Sequence, residues 1–219
     1  MRTITGGVFL SLDGVMQAPG GPLEDPTGGF DLGGWTTSYW DEKMGAQMGR
    51  MFSAPFELLL GRKTYEIFAA HWPFAPEGDP IAARFNRVAK HVLTRGGDAL
   101  EWNNSHKLGG VDDVRRLKAT SGADLLIQGS STLYPALFSA GLIDRLFVMT
   151  FPVALARGKR LFGPGAPPRA FRLIEHDVST TGVRMDTYEP AGEVALGSFQ
   201  LAEPSAAERK RRERMKREG

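Results

Sequence analysis

The chain has 219 residues, no cysteine and a formal net charge of +2. The absence of cysteine excludes a disulfide scaffold, thiolate metal sites, iron–sulfur clusters and a cysteine nucleophile. The four histidines are scattered, so we predict no metal site. No apolar run reaches the roughly 18 residues of a membrane span, and the N-terminus lacks a signal-peptide pattern, so we expect a cytoplasmic protein without membrane contact.

The positive charge is concentrated at the C-terminus. Residues 208–219 contain seven basic and three acidic side chains and carry +4, whereas the first 207 residues carry −2. A basic tail of this kind predicts weak, nonspecific contact with RNA or DNA that decreases steeply with salt. The alternative, which we favour, is a solubilising tail with Glu–Arg pairs four residues apart.

Strand-like and helix-like segments alternate along the chain, which is typical of an α/β fold. The stretch 17–34 is rich in glycine, proline and aspartate, and we interpret it as a lid because long ordered loops are uncommon unless they function. The other elements predicted in the N-terminal half are strands at 4–12, 56–60 and 91–94 and helices at 39–52, 63–70 and 81–89.

The C-terminal half continues this alternation and then changes. Residues 171–179 and 182–189 are strand-like with no helix between them, which predicts an antiparallel hairpin. We therefore predict a mixed, mostly parallel sheet flanked by helices, with this hairpin at its end. The other elements predicted here are helices at 112–120 and 131–140 and strands at 124–128 and 145–150.

The domain organisation follows from the same pattern. Residues 1–190 form one predicted domain. Residues 191–203 form an extension in which 194–201 has the pattern of one more strand. The tail at 204–219 has too few apolar residues to pack, which predicts a frayed helix or disorder.

Glycine stands at the first junction that is suited to phosphate binding. Gly61 closes a predicted strand, and Arg62, Lys63 and Thr64 open the next helix. A helix N-terminus offers free N–H groups and the positive end of the helix dipole, and the two cations add charge. The alternative is an ordinary βα turn with solvated cations.

A second junction repeats this arrangement. Gly129 follows a predicted strand and allows close approach of a ligand to the backbone, and Ser130, Ser131 and Thr132 come next. The alternative is ordinary N-capping by Ser or Thr. With a third junction at 92–97, the pattern predicts one extended phosphate-bearing ligand across the carboxyl ends of parallel strands. Neither the GxGxxG nor the P-loop fingerprint is present.

Four segments in this order resemble the dihydrofolate reductase fold. The resemblance is closer to the reductase domain of the riboflavin-biosynthesis bifunctional deaminase–reductase and its stand-alone relatives. It extends over 1–189 and implies an NADPH-dependent reductase of a small heterocyclic or carbonyl substrate, pterin-like or riboflavin-precursor-like, and a homodimer. The segments are Phe9-Leu10-Ser11-Leu12-Asp13-Gly14, Leu60 to Glu66, Gln128 to Leu133, and Ile143 to Phe162.

The resemblance also implies which residues hold NADPH. The first junction would hold the cofactor phosphates, and Thr94 and Arg95 would lie near the adenosine 2′-phosphate. The second junction would wrap the pyrophosphate and nicotinamide, and the lid would close over the nicotinamide. The cofactor residues implied in this way are Gly61, Arg62, Lys63, Thr64, Thr94, Arg95, Gly129, Ser130, Ser131, Thr132 and Leu133.

For catalysis the resemblance implies two candidate acids. Asp41, placed one turn into the first helix, would correspond to the pterin-binding acid of dihydrofolate reductase, with Thr150 as its partner. The riboflavin-type enzymes use the Ser-Leu-Asp-Gly turn near the substrate, which implies roles for Asp13 and Gly14. Trp35 would stack over the substrate. The alternatives are a surface acid at Asp41, a β-turn aspartate at Asp13 and a packing aromatic at Trp35.

A function of a different class stays open because the pattern does not identify the proton donor. It is a non-catalytic nucleotide- or ligand-binding homodimeric module of the same fold. Detectable NADPH consumption with a physiological substrate would exclude it.

Overall fold

The computed structural model describes residues 1–218 and contains eight strands and six α-helices. The strands are β1 (Ile4–Ser11), β2 (Phe56–Gly61), β3 (Lys90–Leu93), β4 (Ser105–Leu108), β5 (Asp124–Gln128), β6 (Arg145–Phe151), β7 (Phe171–Val178) and β8 (Arg184–Pro190). The helices are α1 (Glu42–Met51), α2 (Arg62–Ala69), α3 (Pro80–Arg87), α4 (Val111–Ala119), α5 (Tyr134–Ser139) and α6 (Ala206–Glu218).

All eight strands form one sheet in the order β4-β3-β2-β5-β1-β6-β8-β7. The pairs from β4 through β6 are parallel, whereas β8 is antiparallel to both β6 and β7. The predicted fold class, a mostly parallel sheet with a C-terminal antiparallel hairpin, is therefore confirmed. The carboxyl ends of the parallel strands share one edge of the sheet, where open α/β sheets bind ligands.

Helices cover both faces of the sheet, and the side chains of the central strands divide between them. Leu58 and Leu60 of β2 pack in one core with α1 and α3, whereas Leu59 packs in the other core with α4 and α5. The side chains of β5 alternate in the same way: Leu126 packs in the core with α1, and Leu125 and Ile127 pack in the core with α4 and α5. This alternation follows from the two-residue period of a strand, and burial on both faces explains why β2 reads as a continuous apolar run.

Two differences from the predicted elements have clear causes. Strand β4 was not predicted, because Ser105–Leu108 has a single apolar residue and joins the sheet edge through main-chain pairing with β3. The strand predicted at 194–201 was wrong, since residues 191–205 contain no strand. After β8 the main chain pairs briefly with Ala170 at Ala191 and Gly192 and then leaves the sheet, so Leu196 and Phe199 pack on no core and stay exposed.

The basic tail forms helix α6, and none of its side chains is buried. Glu208 pairs with Arg211 and Arg212, and Arg214 with Glu218, so part of the charge is balanced within the helix. Nucleic-acid contact through this tail stays a prediction. Within the described part of the chain, no helix is long and apolar enough to cross a membrane.

Tyr134 offers a stability test within the core. Its side chain is fully buried, and no hydrogen-bond partner among residues 1–218 reaches its hydroxyl. Burial also raises its pKa. Because a buried unpaired hydroxyl costs free energy, we expect Tyr134→Phe to raise the free energy of unfolding by about 1 kcal/mol in urea denaturation.

The control for this variant is Tyr65→Phe. The Tyr65 hydroxyl accepts a hydrogen bond from the Trp102 backbone N–H at 2.8 Å, so its removal leaves a buried donor unpaired. We expect a loss of about 1–3 kcal/mol. Equal destabilisation by the two substitutions would contradict the assignment of the Tyr134 hydroxyl as unpaired.

Candidate functional site

A cavity of about 830 Å³ opens where the parallel strands end. Phe9 of β1, Gly61 at the end of β2 and Gln128 at the end of β5 line it. The residues around the cavity form two groups. The polar half lies at the two glycine junctions, and the aromatic half is formed mainly by side chains of helices α1 to α3. The cavity therefore lies at the sheet edge that the sequence indicated for a ligand.

The polar half is built by the two predicted junctions, which contact each other. Ser130 donates its backbone N–H to Thr64 Oγ1 at 3.0 Å, and the Gly61 N–H donates to Ser130 Oγ at 3.0 Å. Gly129 and Ser130 both have left-handed backbone conformations, with φ of 64° and 58°. A Cβ on Gly129 would lie 3.3 Å from Thr64 Cγ2, so the turn packs closely against the start of α2.

The start of α2 faces the same half. Gly61 supplies no side-chain cap, and the first N–H groups of a helix have no acceptor within the helix. Lys63 and Thr64 line the cavity. Ser131 and Thr132 line it from the turn that precedes α5, which begins only at Tyr134 rather than at 131 as predicted. These residues can hold an anionic group of a ligand.

The remaining predicted cofactor residues do not line the cavity. Arg62 pairs with Glu66 and donates to the Asp98 backbone oxygen at 3.2 Å. Thr94 is buried, and its Oγ1 accepts from the Gly96 N–H at 3.1 Å. Arg95 is exposed in the same loop after β3, next in the sheet to β2. Leu133 is buried beside Gly61.

The first part of the loop that we interpreted as a lid, residues 17–25, forms one wall of the cavity. Asp25 is buried and pairs with Lys159, and its Oδ1 lies 3.8 Å from Lys63 Nζ. Burial alone would raise the pKa of Asp25, but the hydrogen bonds from Lys159 and Thr27 outweigh it and hold the pKa below its ordinary value. An ionised Asp25 therefore ties this loop to both cavity lysines.

The aromatic half was not predicted. Helix α1 contributes Met48 and its C-cap residue Phe52, and α3 contributes Ile81 and Phe85, each pair at a spacing of four residues. Phe85 lies edge-to-face with Phe52 at 5.5 Å between ring centroids, and this geometry fixes the rings. The nine apolar residues of this half are Phe9, Trp40, Met48, Phe52, Ile67, Phe68, Trp72, Ile81 and Phe85.

The family model that matches this chain is the RibD C-terminal domain, over residues 2–185. The chain belongs to this family. Two solved structures share the fold of this RibD C-terminal domain. One, a protein assigned to riboflavin biosynthesis from Shewanella sp. PV-4, has a TM-score of 0.59 and 20% identity, over 87% of this chain and 99% of that chain.

The second solved structure is dihydrofolate reductase from Enterococcus faecalis complexed with NADP(H) and RAB-propyl. It has a TM-score of 0.55 and 15% identity, over 86% of this chain and 96% of that chain. A curated relative, the uncharacterised YyaP of Bacillus subtilis (strain 168), is 26% identical over 112 residues, which are 48% of this chain and 58% of that protein. The two solved structures show a shared fold, and together with the family model they confirm the resemblance read from the four segments.

Asp41 does not line the cavity of this RibD C-terminal domain. It caps the N-terminus of α1 rather than lying one turn inside the helix, and its carboxylate accepts from the Met44 N–H at 2.8 Å. It also accepts from the N–H and the hydroxyl of Thr180, each at 2.7 Å. These hydrogen bonds, that from the Thr180 hydroxyl first, hold the pKa of Asp41 below its ordinary value.

Asp13 lies outside the cavity lining as well. Its carboxylate accepts from Ser11 Oγ at 2.7 Å and from the N–H groups of Leu155 and Ala156 at 3.0 and 2.8 Å. These hydrogen bonds, that from Ser11 first, lower the pKa of Asp13 to about 2. Gly14 completes the turn with φ of 84°. The structure thus places both residues in a turn that fastens β1 to the loop after β6.

The other predicted substrate residues also lie outside the lining. Trp35 donates its ring N–H to the Gln17 backbone oxygen at 2.9 Å and packs edge-to-face on Phe151. Thr150 pairs with Leu10 and Arg184 within the sheet. Trp35 therefore supports the base of the lid from outside the cavity.

Glu24 is the carboxyl group that sequence reasoning missed. It lines the cavity and is half-buried, and its Oε2 accepts from the Gly20 N–H at 2.6 Å. Burial raises the pKa of Glu24, and the hydrogen bond from Gly20 only partly offsets this. In the sequence Glu24 is one acid in a polar loop, and no spacing distinguishes it from its neighbours.

Proposed function

We propose that the protein is an NADPH-dependent reductase of a small heterocyclic or carbonyl substrate. One observation carries the proposal. A single cavity is lined both by the glycine turn at Gly129, which is suited to binding phosphate, and by the aromatic half. Membership of the RibD C-terminal domain family supports it. The fold shared with a dihydrofolate reductase complexed with NADP(H) supports the choice of cofactor.

The geometry of the polar half supports a dinucleotide cofactor. Gly129 lines the cavity and has no side chain, so a phosphate can approach its backbone closely. Lys63 and the first turn of α2 would hold phosphate oxygens, and Arg95, on the neighbouring loop, would hold the 2′-phosphate. Bound there, NADPH supplies the hydride. The residues of the chain then orient the substrate against it.

Glu24 is the group that we propose to hold the proton. It lines the cavity, whereas Asp41 and Asp13 do not. Its raised pKa means that the carboxyl keeps its proton to a higher pH than an exposed glutamate does, as a general acid requires. The loop that carries it would also exclude water from the reacting atoms.

Calorimetric titration with NADPH, and with NADH beside it, tests the proposal. We expect NADPH to bind at least about tenfold more tightly than NADH, because a charge-assisted contact to the 2′-phosphate is lost with NADH. The Arg95→Ala variant should reduce this preference and leave NADH binding unchanged. Failure of both cofactors to bind would overturn the proposal. Binding without NADPH oxidation by any substrate would favour the non-catalytic module.

A further inference from the structure

The aromatic half of the cavity carries no charge among the residues that the structure describes. Its nine side chains are all apolar or aromatic. The titratable residues of the whole lining are Glu24, Asp25, Lys63, His71 and Lys159. Lys63 and Lys159 both lie within 4 Å of the Asp25 carboxylate, in the polar half that the proposed function assigns to the cofactor phosphates.

No acid of α1 is available to recognise an aminopyrimidine or pterin ring. Such a ring presents adjacent N–H donors, which a carboxylate pairs with bidentately. Helix α1 gives the cavity only Met48 and Phe52, while its N-cap Asp41 is engaged by Thr180. The two carboxylates of the lining, Glu24 and Asp25, both belong to the lid wall. The ring of a ligand that packs against α1 therefore contacts only apolar side chains.

The aromatic half is equally unsuited to an anionic substituent. No arginine is among the described residues that line the cavity. His71 lies beside this half, with its ring edge-to-face with Trp72 at 4.8 Å, and its charge acts on the Glu24 carboxyl of the lid wall. A phosphate or carboxylate carried into this half would lose its hydration among nine side chains that offer it no cation, which is costly.

The shape of this half suits a flat ring. Trp72 lies 5.2 Å from Phe85 and 5.9 Å from Phe68 between ring centroids, both edge-to-face. Trp40, which is 44% exposed, lies edge-to-face with Phe9 at 6.1 Å between ring centroids. Rings fixed in this way offer faces and edges to a planar ligand at little further cost in side-chain entropy.

We infer that the substrate is a neutral, planar and largely apolar ring compound with a C=O or C=N group, without phosphate or carboxylate. The inference rests on the proposed function, in which the cofactor takes the polar half. The substrate gains a hydride at carbon and a proton at oxygen or nitrogen, giving CH–OH or CH–NH. NADPH is oxidised to NADP⁺, and the proton comes from water through Glu24.

A matched pair of probes tests this class. Coumarin-3-carboxylate and its neutral methyl ester share one flat ring and differ in charge. We expect calorimetry to show the ester binding at least about tenfold more tightly, both without cofactor and with NADPH present. Equal binding, tighter binding of the carboxylate, or binding of neither at millimolar concentration would overturn the inference.

A variant makes the test independent of the ring chosen. Ile67 is half-buried and lines the aromatic half from α2, so Ile67→Arg places a cation there. We expect this variant to bind the carboxylate more tightly than the ester. Ile174→Arg, on the edge strand β7 outside the cavity, is the control and should keep the wild-type preference. An unchanged preference in Ile67→Arg would overturn the inference.

The two proposals fail in distinguishable ways. Loss of the ester preference in a protein that binds NADPH overturns the substrate class and leaves the reductase proposal standing. Conversely, a protein that prefers the ester but does not bind NADPH keeps the neutral ring site and loses the reductase function.

Discussion

Gly129→Val should weaken NADPH binding by at least about 100-fold, equivalent to about 2.7 kcal/mol. Gly129 has a left-handed φ of 64°, which a β-branched residue adopts only with strain. Its Cβ would already lie 3.3 Å from Thr64 Cγ2, and the two γ-methyl groups of valine need more space. The turn must then move from the start of α2, and valine also covers the backbone that a phosphate approaches.

Gly141→Val is the matched control. Gly141 has the same φ of 64°, but nothing lies within 4 Å of its Cβ position, and it is not among the cavity residues. Both variants should lose a similar amount of stability from backbone strain, about 1–2 kcal/mol. Calorimetric titration should then show NADPH binding lost in Gly129→Val and retained in Gly141→Val. Intact binding in Gly129→Val would show that the cofactor does not use this turn.

The polar half of the site could be predicted because its signals are local. A buried strand that ends at Gly61, followed at once by Lys63 and Thr64, needs only a few adjacent residues to be recognised. The second junction, Gly129 to Thr132, has the same form, and the parallel sheet brings the two together. The direct hydrogen bond from Ser130 to Thr64 is a tertiary contact that neither segment indicates alone.

The aromatic half could not be predicted for the opposite reason. Met48 and Phe52, or Ile81 and Phe85, have the spacing of any helix face that packs on a core. Whether such a face meets another side chain or a cavity depends on how the helices are arranged on the sheet. The same arrangement decides that Asp41 turns towards Thr180, which is 139 residues away in sequence.

Substitution of Glu57 in β2, away from the cavity, should have a large effect on the free energy of unfolding. The Arg2 side chain is only 4% exposed and pairs with Glu57, which also lies 2.7 Å from His91 Nε2. Removing one partner of a buried pair leaves an uncompensated charge. We therefore expect Glu57→Gln to lower the free energy of unfolding by about 3 kcal/mol in urea denaturation.

Glu189→Gln separates this effect from the general cost of losing a bridging glutamate. Glu57 and Glu189 are both 26% exposed, and each contacts two basic side chains. The partners of Glu189 are Arg145 and Arg172, which are 54% and 70% exposed and stay hydrated when it is lost. We expect this control to cost less than about 1 kcal/mol. If both variants lost the same free energy of unfolding, the ion pair with Glu57 would not be what stabilises the buried Arg2 side chain.

The same pair predicts an acid dependence with a definite sign. Burial alone would raise the pKa of Glu57, but the hydrogen bonds from Arg2 and His91 and their charges outweigh it, so the folded-state pKa lies below 4.5. The unfolded chain therefore takes up this proton first, and the contribution of Glu57 to stability, complete above pH 4.5, is lost as pH falls through the folded-state pKa. Glu57→Gln has no such proton to bind, so the stability difference between wild type and variant should narrow below pH 4.5. A difference that stays constant with pH would assign the loss to side-chain packing rather than to charge.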